Sequence, residues 1–147
     1  DSIKELRSIS HNMMPVALIE FGLPRAVEVL VNRINEAKAM QVEWNCRGID
    51  RLEQSVEISV YRIIQEVLNN MIKHSQASRI VIDLQKQGNK VLLKIQDNGS
   101  GFDTDNIGKS RGIGWNNIYS RLSVVNGKMD VSSAPGSGTV INIDFSI

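Results

Sequence analysis

With 147 residues, 41% of them hydrophobic and 22% charged, the chain can fill one core and suits a single domain with at most a short appendage. Its 17 Lys and Arg against 16 Asp and Glu leave a net charge of +1, which argues against a dedicated nucleic-acid binder. One cysteine excludes an internal disulfide framework and suits a reducing compartment, and there is neither a membrane-length apolar run nor a signal-peptide pattern.

The sequence starts at Asp1 rather than at a methionine, so it reads as a piece of a longer protein. Ile3, Leu6, Ile9 and Met13 recur at helical spacing, and Pro15 ends that pattern. After the break at Gly22-Leu23-Pro24, Pro24 opens a second helix with Val27, Leu30, Val31 and Ile34 on its apolar face. Gln41 to Cys46 alternates as a strand, closed by Arg47-Gly48, and Cys46 shares its face with Val42 and Trp44 as a buried residue rather than a reactive thiol. A long helix is predicted from about Ser55, its N-cap, to about His74. Arg79 to Lys86 and Lys90 to Asp97 form two strands around a Gly88-Asn89 turn. Residues 98–114 are glycine-rich and irregular, a loop long enough to be a lid or a binding segment. A helix over Ile113 to Val125 ends at Asn126-Gly127. Strands over Lys128 to Ser132 and Thr139 to Phe145, with a turn at Ala134 to Gly138, complete the chain. No internal repeat is present, and the order predicts a two-layer α/β sandwich, a mixed sheet with helices on one face.

Asp97 ends a strand and is followed by Gly99 and Gly101. This places one fixed acceptor at the mouth of a pocket, with backbone able to approach a ligand closely. We read Asp97 as the group that recognises the edge of an adenine ring. On the long helix, Val60, Ile64, Val67 and Met71 form the apolar stripe, and Glu66, Asn70 and Lys73 line one edge at i, i+4 and i+7. A Glu can orient or deprotonate a nucleophile, an Asn oxygen can coordinate a hard cation such as Mg²⁺, and a Lys suits a phosphate oxygen. On spacing alone, an ordinary solvated helix face is the more frequent source of such a pattern. His74 reads as a capping or core-edge residue, because no partner His or Cys stands at ligand spacing.

Gly108-Lys109-Ser110 imitates the end of a Walker A loop, but Asp103 stands where its first glycine belongs. Gly112-Ile113-Gly114 is no dinucleotide fingerprint, since Asn117 occupies the place of the third glycine. What remains is a segment with Lys109 and Arg111 running into a helix start, which suits either a polyphosphate or a plain surface loop. Gly138-Thr139, a turn glycine and a strand threonine, discriminates little alone.

Taken in order, Glu66-x-x-x-Asn70-x-x-Lys73-His74, Asp97-x-Gly99-x-Gly101, Gly112-x-Gly114 and Gly138-Thr139 resemble the motif set of the GHKL ATPase superfamily. The resemblance is greatest to the catalytic domain of bacterial two-component sensor histidine kinases. It points to their short-lid subfamily, through Tyr61-Arg62-Ile63-Ile64-Gln65-Glu66 and Arg111-Gly112-Ile113-Gly114-Trp115. It covers about Val42 to Phe145 and implies the GHKL ATP-binding fold. Residues 1–22 resemble the end of the dimerisation and phosphotransfer helices, leaving 23–147 as the ATP-binding domain. His11, followed by Asn12, is expected to be structural and not the phospho-acceptor.

The resemblance implies that Asp97 accepts from the adenine amine with Thr139 in support, that Asn70 holds Mg²⁺ and that Glu66 orients the attacking imidazole. It also implies that Gly99, Gly101, Gly112 and Gly114 allow the lid to close on ATP, aided by Lys73, Lys109 and Arg111. The implied partners are ATP, an acceptor histidine of the parent kinase and a response regulator. The parent is expected to be a homodimer and the fragment a monomer or weak dimer, a cytoplasmic domain whose parent can be anchored in the inner membrane. Two alternatives are a serine kinase or ATPase clamp from another GHKL branch, and a non-catalytic nucleotide-binding or docking module.

Overall fold

Apolar residues at every second position of three neighbouring strands decide the architecture. Ile80, Ile82 and Leu84, then Val91, Leu93 and Ile95, then Ile141, Ile143 and Phe145 are all buried. Side chains alternate across a strand, so each set lies on one face. The computed structural model describes residues 16–37, 40–74, 76–101 and 115–147, with His74 described by its backbone alone. Helices α1 (Val16–Phe21) and α2 (Leu23–Glu36) precede strand β1 (Gln41–Arg47). Helix α3 (Gln54–His74) leads to β2 (Arg79–Gln87) and β3 (Lys90–Asp97), and α4 (Trp115–Val125) leads to β4 (Lys128–Ser133) and β5 (Thr139–Ser146).

The sheet order is β1-β2-β3-β5-β4. β1 and β2 are parallel, with α3 as the crossover that parallel neighbours require, and every other pair is antiparallel. Ile34 from α2, Ile64 and Leu68 from α3, and Ile118 and Leu122 from α4 join the buried sheet face in one core. On the other face, Lys94 and Asn142 are exposed and Asp83 and Asp144 half-buried. The fold is thus the expected two-layer α/β sandwich with a mixed sheet. Asn35 finishes one edge. Its side chain donates to Val42 O at 2.9 Å and accepts from Val42 N–H at 2.7 Å, occupying both backbone groups of an edge-strand residue.

Two local expectations change. Helix α1 begins directly after Pro15, where the apolar pattern stops. Only Leu18 of its six residues is buried, while Val16, Ile19 and Phe21 are exposed, so it carries no stripe to announce it. Ser55 is not the cap of α3. Glu53 O accepts from Val56 and Glu57 N–H, which puts Ser55 inside the first turn. Helix α4 ends at Asn126-Gly127 as expected, with Asn126 in the left-handed position (φ 53) and Gly127 N–H closing on Leu122 O at 2.9 Å. Residues 1–15, with His11, and 102–114, with most of the predicted lid, lie outside the described residues. Among the described residues, no helix is long and apolar enough to cross a membrane.

Candidate functional site

The site grows from the place where β3 stops. Asp97 is the last residue of β3 and pairs with Thr139, the first of β5. Its Oδ1 accepts the Gly99 N–H at 2.7 Å, a local turn that breaks the strand. Its Oδ2 is buried and has no hydrogen-bond partner among the described residues. Burial raises the Asp97 carboxyl above the usual carboxylate range, and the Gly99 N–H pulls partly the other way. A buried acceptor without a donor is costly to keep, and a ligand bearing N–H groups would satisfy it.

The turn after Asp97 lies directly on the β4–β5 turn. Gly136 N–H donates to Ser100 O at 2.5 Å. A Cβ on Gly101 (φ +69) would fall 2.1 Å from Ala134 O, and one on Gly138 (φ +74) would fall 2.4 Å from Asp97 O. Both glycines are therefore required by close backbone approach as well as by dihedral. Gly99 is not among the described glycines with positive φ, so its contribution is the N–H it gives to Asp97. Thr139 is buried, and its hydroxyl lies 3.0 Å from Ser133 Oγ, which itself donates to Gly138 O at 2.8 Å. Ser133 escaped the sequence reading because a lone serine at a strand end has no distinguishing pattern.

Glu66 and Asn70 are half-buried and Lys73 is exposed, along the edge of α3 that borders the core. Asn70 and Lys73 lie in its last turns. Four residues separate α3 from β2, and Arg79, the first residue of β2, is hydrogen-bonded to Asn98 beside Asp97. The chain path thus brings the polar end of α3 to the strand end that carries the buried acid. Lys109, Arg111, Gly112 and Gly114 lie outside the described residues.

Sequence reasoning also missed a buried ionic group. Glu57 is 1% exposed and is held by Arg51 through Nε and Nη2, both at 3.2 Å, and by Leu52 N–H at 3.2 Å. Arg51 also reaches the carbonyls of Ile19 and Glu20, tying the end of α1 to the start of α3. Glu57 sits at a helical spacing that sequence alone assigns to a solvated first turn.

Residues 55–147 match the family described as histidine kinase-, DNA gyrase B-, and HSP90-like ATPase. The chain belongs to that family. Within this ATPase family it is 31% identical over 143 residues to the sensor histidine kinase LiaS of Bacillus subtilis, covering 97% of this chain and 39% of LiaS. It is 32% identical over 149 residues to the sensor histidine kinase ComP of the same organism, covering 100% of this chain and 19% of ComP. The chain therefore spans well under half the length of these relatives. Among solved structures, the histidine kinase domain of the Erythrobacter litoralis blue-light activated kinase EL346 superposes with a TM-score of 0.69. That match has 18% identity and covers 99% of this chain and 70% of the other, a likeness of fold. The buried acid, the glycine turn stacked on a second turn and the polar helix edge thus belong to an ATPase domain.

Proposed function

We propose that this ATPase domain binds Mg–ATP and is the catalytic part of a two-component sensor histidine kinase. It would transfer the γ-phosphoryl group to a histidine on a helix preceding it in such kinases, for relay to the aspartate of a response regulator. The observation that carries the reading is Asp97, whose Oδ2 is buried without a partner at the end of a central strand. The names of the relatives support the kinase assignment, and the order of residues along α3 supports the division of roles.

Asp97 accepts from the exocyclic amine of adenine, a contact that guanine, with an acceptor there, cannot make. Asn70 offers an amide oxygen suited to Mg²⁺. Among the described residues no group of three or more His, Cys, Asp or Glu could hold a metal unaided, which fits a cation that takes most of its oxygens from phosphates and water. The cation, when bound, neutralises charge on the phosphates. Glu66 orients the incoming imidazole. Lys73, with Lys109 and Arg111, holds phosphate oxygens. Gly99, Gly101, Gly112 and Gly114 give the backbone access to the triphosphate. The protein's work is positioning and charge neutralisation. Residues 1–22 are the end of the phosphotransfer helices, and 23–147 form the ATP-binding unit. The parent is a homodimer, and the domain works in the cytoplasm.

The test has two steps. Calorimetric titration with ADP and Mg²⁺ is expected to give saturable binding that falls when Mg²⁺ is removed. Mixing the chain and ATP with a polypeptide that carries the acceptor helix is expected to give acid-labile, base-stable phosphorylation. Binding without transfer would leave a docking module, and no binding would end the nucleotide reading.

A further inference from the structure

We propose that Asn98 is the positioning residue of the site: its side chain ends β3 and so aims the Asp97 carboxylate. The inference rests on the nucleotide-binding reading above. Ile80 and Asp97 form the last cross-strand pair between β2 and β3. One step further, Asn98 N–H still reaches Arg79 O at 3.3 Å. In an unbroken antiparallel ladder the return bond would run from Arg79 N–H to the main-chain carbonyl of residue 98. Here Arg79 N–H goes instead to the Asn98 side-chain oxygen, at 3.0 Å.

The amide thus stands in for the backbone and releases the main-chain carbonyl, so the chain turns away one residue after Asp97. The same Oδ1 accepts Ser78 N–H at 3.0 Å, and Nδ2 donates to Ser78 Oγ at 3.0 Å, which fixes the rotation of the amide. Ser78 is itself anchored, its carbonyl accepting Gln41 N–H at 3.1 Å. The next residue in the turn, Gly99, supplies the N–H that holds Asp97 Oδ1. Asn98 therefore determines where that N–H lies, and with it the direction in which Oδ2 points. Ser78 belongs to the segment leaving α3, so the same staple sets the acid relative to the helix that carries Asn70 and Lys73.

Titration of the 147-residue chain and its variants with ADP and with GDP, in Mg²⁺ buffer, tests this. Asn98→Ala is expected to weaken ADP by about tenfold, the scale of one misaligned hydrogen bond, and to leave GDP nearly unchanged. Asn98→Asp keeps the acceptor oxygen, and Ser78 Oγ can donate to its second oxygen, so most of the ADP:GDP preference returns. A merely structural role would weaken both nucleotides together. An unchanged ADP:GDP ratio in Asn98→Ala, or no recovery in Asn98→Asp, overturns the proposal. If Asn98→Ala fails to fold, Ser78→Ala carries the test: a reduced ratio supports the positioning role and an unchanged one overturns it. A parent chain with no preference for ADP is a separate result, which overturns the nucleotide reading and the positioning role with it.

Discussion

The carbonyl oxygen of Ala134 lies 2.1 Å from the point that a Cβ on Gly101 would occupy. The turn after Asp97 and the β4–β5 turn are therefore in backbone contact, and Gly101 is what permits it. Gly101→Ala combines a left-handed φ with a steric clash against backbone, so a loss of about 3 kcal/mol of stability is expected. Nucleotide binding should be lost as well. Gly88 is the control. It has φ +61 with nothing within 4 Å of an added Cβ, so Gly88→Ala should cost only about 1 kcal/mol and leave binding intact. Urea denaturation of the two variants gives the comparison, and equal losses would show that strain, not contact, governs Gly101.

Asp97→Asn should separate binding from stability. Asn keeps the oxygen that accepts Gly99 N–H and removes the charge whose burial raises the carboxyl. A raised folded-state value means that this group's contribution to stability is present below its unfolded value and lost as pH rises through the folded one. Above the unfolded value the parent therefore carries the cost of burying this carboxyl. The variant should be within about 1 kcal/mol of the parent or above it, with nucleotide affinity down by on the order of 1–3 kcal/mol. The difference in melting temperature between variant and parent should also shift in the variant's favour as pH rises from about 4, the ordinary carboxylate value. A variant that binds ADP as the parent does would remove Asp97 from the site.

Most of the sheet was legible because burial on one face writes a period of two, as in Ile80, Ile82 and Leu84 or Ile141, Ile143 and Phe145. The glycine turns were legible as composition, but their reason was not. That Gly138 lies against Asp97 O, 41 positions away in sequence, is set by the pairing of β3 with β5. Helix α1 escaped because only Leu18 faces the core, and the Glu57 pair because a first-turn Glu is ordinarily solvated. Asn98 was visible only as the first residue of the 98–114 loop, since nothing in a lone Asn-Gly reveals that its side chain replaces a backbone carbonyl. Patterns with a period were visible; single contacts between distant segments were not.

Cys46 should be a slow nucleophile. Burial pushes its thiol up, so little thiolate is present at neutral pH, and the residue packs against the core at the end of β1. Reaction with an aromatic disulfide reagent is expected to be much slower in the native chain than in urea. Equal rates would show that β1 opens freely, contrary to the clamp that Asn35 places on Val42.

Arg51 and Glu57 should respond unequally to mutation. Glu57 is 1% exposed, whereas the Arg51 side chain is 54% exposed, so removing either partner leaves a different remainder. Arg51→Ala strands a buried carboxylate with Leu52 N–H as its remaining donor among the described residues and frees the carbonyls of Ile19 and Glu20. Losing the partner of a buried charge costs roughly 3–5 kcal/mol, and the exposure of Arg51 lowers this to about 2–3. Glu57→Gln keeps an acceptor for Leu52 N–H and leaves Arg51, half-exposed to water, on the carbonyls of Ile19 and Glu20, so about 1–2 kcal/mol is expected. Because Arg51 is the link to α1, Arg51→Ala should also speed proteolytic cutting near Phe21 and Gly22, and Glu57→Gln, in which Arg51 keeps its bonds to α1, should do so less. Denaturation curves with the reverse order, or cutting equal in parent and variants, would show that apolar packing of Leu18 holds α1 without the ion pair.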